Sequence, residues 1–171
     1  MIITDEEFLR RPCEEVLPNE AGELVELLER ELERSSRLGS PGIGLAAPQI
    51  GIHKKCAIIR IDNTLKVNLV NAKLENMYDE IIFTDEGCLS FPGRLENTKR
   101  YQEIHVVNNL SKPESFIATG LLSIAIQHEQ DHLNSILFFD KAIPKIIKKQ
   151  KPNDICFCDS GKKYKKCHGK V

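Results

Sequence analysis

The 171-residue chain is predicted to adopt an α+β fold, on two observations. Four short apolar segments typical of β-strands occupy the middle of the chain, between residues 54 and 108. Two segments with helical patterns flank them; the first is amphipathic, and the second is apolar on most of its faces. Because 41% of the residues are hydrophobic, the chain can form one compact domain with a short appendage.

Each predicted element follows from a local pattern. Residues 20–38 carry leucines at helical spacing, which predicts an amphipathic helix with its apolar stripe in the core. The stripe consists of Leu24, Leu27, Leu28 and Leu32. Residues 39–51, GSPGIGLAAPQIG, predict a loop rich in glycine and proline. Strands are predicted at 54–61, 65–70, 78–84 and 101–108, and turns at 96–100 and 108–113. Thr119 is expected to cap a buried helix that runs to about Leu137.

The sequence indicates a cytoplasmic protein. The N-terminal segment MIITDEEFLRRP lacks the basic region and the following apolar region of a signal peptide. No apolar run is long enough to span a membrane. In a reducing cytoplasm the six cysteines are expected to be free thiols or metal ligands, with Cys13 and Cys56 as buried structural thiols.

Charge is divided unevenly along the chain. The net charge is −1, but residues 1–140 carry −9 and residues 141–171 carry +8. A basic tail on an acidic body indicates either an anionic partner, such as nucleic acid or a membrane surface, or a solvated tail that aids solubility. Both interpretations stay open on charge alone.

Residues 126–133, IQHEQDHL, contain the clearest chemical signal of the chain. His128 and His132 are four positions apart and therefore lie on one face of a helix, where two imidazoles can bind one metal ion. Glu129 follows the first histidine and can act as a base toward a water on that metal. The alternative is a pair of buried histidines that are merely hydrogen-bonded.

A catalytic site of this kind needs a third ligand, which is expected upstream. No glutamate follows Glu129, the third histidine of the extended protease pattern is replaced by Phe138, and His168 lies in the tail. Cys88, in the segment DEGCLSFPG (85–93), is the upstream candidate because a thiolate binds Fe(II) or Zn(II) strongly.

Three stretches of the chain together resemble the peptide deformylases. The family signatures Gly-x-Gly-Leu-Ala-Ala-x-Gln, Glu-Gly-Cys-Leu-Ser and Gln-His-Glu-x-Asp-His stand here, in that order, at residues 42–49, 86–90 and 127–132. The resemblance covers about residues 2–142. It implies antiparallel β-sheets packed around a central helix that carries metal ligands.

The resemblance also implies an activity, the removal of the formyl group from the N-terminal formyl-methionine of nascent polypeptides with release of formate. The implied metal ligands are Cys88, His128 and His132. The metal would natively be Fe(II), which Zn(II), Ni(II) or Co(II) can replace, and it would make a water nucleophilic. Glu129 would take the proton of that water and pass it to the departing amine. The Gln49 amide and the Leu89 backbone N–H would stabilise the oxyanion.

By the same resemblance, the methionine side chain would enter an apolar pocket. The expected lining residues are Ile43, Phe91, Ile124 and the ring of His128. Ile124 precedes His128 by one helical turn and so faces the same site. Gly44 and Gly87 would offer backbone groups to the main chain of the substrate.

Some features differ from the commoner pattern of the family. Ser135 stands where a glycine is frequent. The segment after Pro92 does not assign the substrate-binding arginine, so Arg94 and Arg100 both remain candidates. The family's C-terminal helix is reduced to about IPKIIKKQK. Glu86 is expected to orient its loop rather than to take part in the chemistry.

The tail, residues 153–170, contains three cysteines and one histidine that form a complete tetrahedral set for Zn(II). These four are Cys156, Cys158, Cys167 and His168. Because the segment has almost no core, zinc would supply most of its folding free energy. The spacing resembles the SEC-C motif, although Asp159 replaces a usual glycine. The alternative is a disordered tail with stray cysteines.

The chain is therefore predicted to consist of a deformylase domain (1–142), a basic helix or linker (143–152) and a zinc-binding tail (153–171). We expect the lysine-rich tail to tether the protein to the ribosome, with acidic lipids or a protein partner as alternatives. Two other functions stay open: a metallopeptidase or other amide hydrolase with the same ligands, and a non-catalytic, zinc-dependent adaptor.

Overall fold

Three helices and six strands make up the body of the protein. The computed structural model describes residues 1–62, 64–109, 114–143, 152–153 and 161–166. The helices are α1 (Glu6–Leu9), α2 (Ala21–Arg37) and α3 (Gly120–Leu133). The strands are β1 (Gly44–Ala46), β2 (Cys56–Arg60), β3 (Lys66–Val70), β4 (Lys73–Glu86), β5 (Glu96–Asn108) and β6 (Glu114–Thr119). Short 3-10 helices span Ala47–Ile50, Phe138–Lys141 and Tyr164–Lys166. None of the described helices has the length and apolar character that crossing a membrane requires.

Two antiparallel sheets pack around α3. The first has the strand order β1-β2-β3 and the second the order β4-β5-β6. Ala125, Ile126 and Leu133 of α3 belong to one buried cluster with side chains from both sheets, among them Ile59 and Ile104. The predicted α+β class, with antiparallel sheets around a central helix, is thereby confirmed.

The first sheet is buried on both of its faces. Successive residues of β2 alternate between two clusters, because Cys56 and Ile58 pack toward α2 whereas Ala57 and Ile59 pack toward α3. This double burial explains why the strand reads as a continuous apolar run. The predicted core stripe of α2 is buried at Leu24, Leu28 and Leu32, and Leu27 is half-buried.

One side chain joins the two sheets. Asn108, at the end of β5, accepts a hydrogen bond from the backbone N–H of Val70 at 2.8 Å and donates one to the carbonyl of Asn68 at 2.7 Å. Both of these residues belong to β3, so the amide occupies the position that another strand would take along that edge. Asn108 is 1% exposed, and its hydrogen-bonding groups are satisfied at this junction.

The prediction of a turn at residues 96–100 was wrong. These residues begin β5, and the bulk of the strand continues to Asn108. Thr98 and Arg100 are fully buried, whereas Lys99 between them is exposed, as expected for alternating faces of a strand. The composition of this polar run is typical of a turn. It forms a partly buried strand because its buried polar groups have hydrogen-bonding partners elsewhere in the fold.

Four further differences concern two unpredicted strands and the beginnings of two elements. The predicted loop at 39–51 contains the short strand β1, strand β4 begins earlier than expected, and the sequence patterns did not indicate β6. Thr119 precedes the first residue of α3 as expected, but its side chain makes no capping hydrogen bond.

Helix α3 ends at Leu133 rather than near Leu137. Ser135 adopts a left-handed conformation with φ of +63°, which stops the helix. The N–H of Ser135 bonds the carbonyl of His132, and the N–H of Ile136 bonds that of Asp131, the pattern of a Schellman motif. Glycine favours this conformation, which gives a physical reason for its frequency at this position.

Candidate functional site

A cysteine and two histidines form a cluster of potential metal ligands. One ligand atom from each of Cys88, His128 and His132 can be chosen so that all three lie within 4.8 Å of one another. The Sγ of Cys88 is 3.3 Å from the Nε2 of His132, and the two imidazole ring centroids are 5.1 Å apart. The histidines come from α3 and the cysteine from the loop between β4 and β5.

The donor set fits a transition-metal ion. One sulfur and two imidazole nitrogens are the ligands that Fe(II) and Zn(II) favour. The Nδ1 of His128 lies 2.6 Å from a carboxylate oxygen of Glu86, which leaves Nε2 available for a metal. Burial and the neighbouring His128 hold the pKa of His132 well below its ordinary value, so this imidazole is in its neutral, metal-binding form.

The surroundings of His128 favour its protonated form. Burial alone would lower its pKa, but interactions with Cys88 and Glu86 outweigh burial and raise the pKa well above the ordinary value. Metal binding at this cluster therefore releases protons and weakens at low pH.

A buried network of charges supports the cluster from behind. Glu86 accepts hydrogen bonds from Arg100 at 2.8 and 2.6 Å, and from the hydroxyl of Thr98. Arg100 also donates to Asp131 at 2.6 Å, and the ammonium of Lys141 lies 2.7 Å from the other oxygen of Asp131. Two carboxylates and two cations thus balance each other at the back of the ligand-bearing helix.

A β-bulge directs Glu86 into this network. The register of β4 and β5 shifts between Phe83 and Glu86, and Asp85 has φ of +56°. Such a bulge re-aims the side chain that follows it. Sequence reasoning assigned Glu86 to loop orientation and missed its contact with His128; its place two residues before Cys88 was the available signal.

The two arginines proposed as substrate contacts differ in their surroundings. Arg100 is 0% exposed and is used entirely within the charge network, so its candidacy was wrong. Arg94 lines the cavity described below, its guanidinium lies 3.7 Å from the ring centroid of Phe139, and its Nε donates to Glu96 at 3.1 Å. Gln127, which precedes the ligand His128, accepts a hydrogen bond from the backbone N–H of Tyr101 and donates one to its carbonyl.

Glu129 lies next to the ligands but outside the charge network. It is 4% exposed, and its Oε2 has no hydrogen-bonding partner within the described residues. Burial raises its pKa to about 7. A carboxylate with such a pKa can both accept and return a proton near neutral pH.

Gln49 is fixed in one orientation. Its Oε1 accepts a hydrogen bond from the N–H of Ala46 at 2.8 Å, which directs the amide nitrogen toward the cluster. That nitrogen lies 3.1 Å from the hydroxyl of Ser90 and 3.4 Å from the Sγ of Cys88. The amide is therefore a donor held at the ligand cluster.

The cluster opens into a cavity of about 550 Å³. Every residue expected to contact the substrate lines it: Ile43, Gly44, Gly87, Phe91 and Ile124. Gln49, Cys88, Leu89, His128 and Glu129 also contribute to its walls. His132 does not, because it lies beneath the other ligands and is 1% exposed.

Cys13 and Cys56 are not part of this cluster. Cys56 is fully buried and Cys13 half-buried, and burial raises their pKa values to about 12 and about 11. Cys156, Cys158, Cys167 and His168, the four expected zinc ligands of the tail, lie outside the described residues.

Two family models match the chain. The model for polypeptide deformylase matches residues 1–149, and the model for the SEC-C motif matches residues 153–170.

Curated relatives extend the match. Peptide deformylase 1 of Bacillus anthracis is 41% identical over 138 residues, which are 79% of this chain and 86% of that protein. Peptide deformylase 1 of Pseudomonas syringae pv. tomato is 43% identical over 105 residues, which are 59% of this chain and 62% of that protein. The chain therefore matches less than two thirds of the length of the Pseudomonas relative.

Solved structures share the fold. A peptide deformylase from Synechococcus elongatus, in complex with actinonin, superposes with a TM-score of 0.75 at 31% identity, over 85% of this chain and 79% of that chain. A peptide deformylase from Legionella pneumophila gives a TM-score of 0.73 at 32% identity, over 84% of this chain and 86% of that chain.

Proposed function

The chain belongs to the polypeptide deformylase family and carries a SEC-C motif, and on that premise we propose that it hydrolyses the formyl group from the N-terminal formyl-methionine of nascent polypeptides. The observation that carries the proposal is a ligand cluster that opens into a cavity, whose walls also contain a buried carboxylate and an oriented amide. These are the groups that hydrolysis of an amide requires.

Cys88, His128 and His132 are the residues that would hold the metal. A divalent ion bound there supplies a Lewis acid that activates water near neutral pH. Glu86 fixes the ring of His128 through its Nδ1, and Arg100 in turn fixes Glu86. We propose Fe(II) as the native metal, with Zn(II), Ni(II) or Co(II) as substitutes.

Glu129 is proposed to move the proton. Its carboxylate accepts a proton as the oxygen of water bonds to the formyl carbon, and later gives that proton to the amine nitrogen as the C–N bond breaks. The products are formate and a peptide with a free N-terminus. A pKa near 7 suits both halves of this transfer, since the group is neither strongly acidic nor strongly basic.

Gln49 and Leu89 are proposed to stabilise the negative charge that develops on the formyl oxygen. The amide nitrogen of Gln49 is pre-oriented by Ala46, so it needs no rearrangement to donate. The backbone N–H of Leu89 donates no hydrogen bond to another group in the described part of the chain. Two donors directed to one oxygen form an oxyanion hole.

The apolar part of the cavity is proposed to receive the methionine side chain. Ile43, Phe91, Ile124 and the ring of His128 offer apolar surface. Gly44 and Gly87 leave backbone groups accessible to the main chain of the substrate. An unbranched thioether suits such an irregular apolar pocket.

The tail and the location of the protein extend the proposal. We propose that Cys156, Cys158, Cys167 and His168 bind a second zinc ion in an SEC-C motif that tethers the cytoplasmic protein to the ribosome. Cosedimentation of the full chain with ribosomes should decrease when residues 151–171 are removed and when salt is raised. Unchanged cosedimentation would contradict this part of the proposal.

Formate release tests the activity. Protein loaded with Fe(II) under anaerobic conditions, or with Ni(II), should release formate from formyl-Met-Ala-Ser, and Glu129→Ala should reduce the rate by about 10²–10⁴-fold. Glu80→Gln, on the outer strand β4 and paired with Lys99, serves as the matched control. Cleavage of unformylated Met-Ala-Ser would indicate a peptidase, and absence of both activities from metallated protein would favour the adaptor.

A further inference from the structure

We propose that Gly44 is a positioning residue, which by lacking a side chain leaves the space that the carboxylate of Glu129 occupies. This inference rests on the proposed function, in which Glu129 transfers the proton. It gives Gly44 a role toward a residue of the protein, in addition to any contact that its backbone makes with the substrate.

Glu129 is placed by packing rather than by hydrogen bonds. Within the described residues its side chain makes no hydrogen bond, and its Oε2 is buried without a partner. Gln49, in the same cavity, is instead held by hydrogen bonds to Ala46 and Ser90. A buried carboxylate without hydrogen bonds can only be oriented by the walls around it.

Strand β1 forms the wall beside the carboxylate of Glu129. A Cβ built on Gly44 would overlap Oε1 of Glu129 and would lie 2.9 Å from its Cδ and 3.1 Å from its Cγ. The backbone of Gly44 is not in the left-handed region, so a side chain is excluded here by Glu129 and not by φ.

The strand cannot easily yield to such a contact. Gly44 pairs with Ile59 of the central strand β2, and the N–H of Arg60 donates to the carbonyl of Ile43 at 2.7 Å. Glu129 is also held at its backbone, in the buried helix α3. A methyl group at position 44 would therefore displace the carboxylate of Glu129, because this side chain moves more easily than strand β1 or the backbone of α3.

Gly42 supplies a matched control in the same loop. A Cβ at Gly42 would meet the side chain of Leu89, with its Cδ1 at 2.7 Å, and not Glu129. Alanine at either position adds the same methyl group, but only at position 44 should the effect depend on the length of residue 129.

The experiment is a double-mutant cycle on the metallated full chain, with formate release, metal content and thermal unfolding as readouts. Gly44→Ala should lower kcat by about 100-fold, since a displacement of about 1 Å can cost that much. KM should change by less than about threefold, because the backbone groups remain. Glu129→Asp shortens the side chain and so relieves the overlap. The factor by which it lowers kcat should therefore be less than a tenth as large in the Gly44→Ala background as in wild type. The Gly42→Ala background should not show this relief.

The thermal unfolding midpoint provides a second test, which does not depend on activity. If Gly44→Ala folds poorly or loses metal, Gly44→Ala/Glu129→Ala should restore the unfolding midpoint, since it removes the overlapping carboxylate. The inference is overturned if kcat of Gly44→Ala stays within about threefold of wild type, or if the effects of the two substitutions on kcat are additive. It is also overturned if a destabilised Gly44→Ala does not regain its unfolding midpoint when Glu129→Ala is added. A wild-type protein without deformylase activity would refute the proposed function, whereas the unfolding midpoint would still test the contact.

Discussion

Two carboxylates of this protein are equally buried but have opposite properties. Glu86 and Glu129 are each 4% exposed. Burial would raise the pKa of Glu86, but hydrogen bonds from His128 and Arg100 outweigh it and lower the pKa to about 2. Glu129 has no such donors, and burial raises its pKa to about 7. Hydrogen-bonding partners therefore decide which buried carboxylate is a fixed charge of the scaffold and which can exchange a proton.

Removal of Arg100 should have the largest effect on the scaffold side of this comparison. Arg100→Met leaves Glu86 and Asp131 without their shared cation, and we expect the free energy of unfolding to fall by about 3–5 kcal/mol. Metal affinity should fall by about 10–100-fold, since His128 loses its fixed partner. Urea unfolding and a chelator competition titration measure the two effects.

Lys99→Met is the control for this substitution. Lys99 neighbours Arg100 on β5 but points to the opposite, exposed face. It should change stability by less than about 0.5 kcal/mol. Equal effects of the two substitutions would mean that the buried network does not contribute to stability.

Glu86→Gln should remove a contribution to stability that wild type gains as the pH rises. The pKa of Glu86 is lowered in the folded protein, so its contribution is present above its ordinary pKa near 4.5 and is lost as the pH falls toward 2. In metal-free protein we expect wild type to exceed the variant by about 3 kcal/mol at pH 7. Urea unfolding in EDTA between pH 2 and 7 measures this difference, and a constant gap would contradict the prediction.

Glu129→Gln should remove a loss of stability that wild type suffers as the pH rises, the opposite of the effect at Glu86. The pKa of Glu129 is raised on folding, so charging the buried group costs stability as the pH rises from about 4.5 through 7. Because an unpaired amide costs free energy, the metal-free variant should be about 1 kcal/mol less stable than wild type near pH 4. Its stability should exceed that of wild type by about 2 kcal/mol at pH 8, a change of about 3 kcal/mol in all. A variant less stable than wild type at pH 8 would refute the assignment.

Ser135 should show the smallest effect and tests how α3, which carries Glu129, ends. The hydroxyl of Ser135 bonds the carbonyl of Arg11 at 3.0 Å, which offsets its left-handed conformation. Ser135→Ala keeps the strain and loses this bond, so stability should fall by about 1 kcal/mol. Ser135→Gly loses both the strain and the hydrogen bond, so its free energy of unfolding should lie within about 0.5 kcal/mol of that of wild type. Thermal unfolding separates the two, and the reverse order would contradict this account of the helix end.

The sequence predicted the groups of the site better than their surroundings. Helical spacing alone places His128 and His132 on one face, because four residues make about one turn. The proximity of Cys88 did not follow from spacing. The absence of a downstream ligand and the chemistry of a thiol made it a candidate, and the resemblance to a family supported that choice. Tertiary contacts between distant segments are not encoded in a local period.

Some of the missed features have a polar local pattern. Thr98 and Arg100 lie in a run that is typical of a turn, and only their contacts with Glu86, more than ten residues away, make their burial favourable. Ser135 likewise gave no stop signal for α3, because serine rarely adopts positive φ. The apolar elements α2, β2 and β3 were predicted close to their observed ends, since their burial is visible in their composition.

The side chain of Asn108 has a consequence for the shape of the cleft. Gln49 follows a strand of the first sheet, whereas Cys88 follows a strand of the second. The distance between the amide nitrogen of Gln49 and the sulfur of Cys88 therefore depends on how the two sheets are set against each other. Asn108, at the end of a strand of the second sheet, joins the two sheets through two hydrogen bonds to the first. An amide in the core, far along the chain from either residue, thus helps to set the spacing between Gln49 and the ligand cluster.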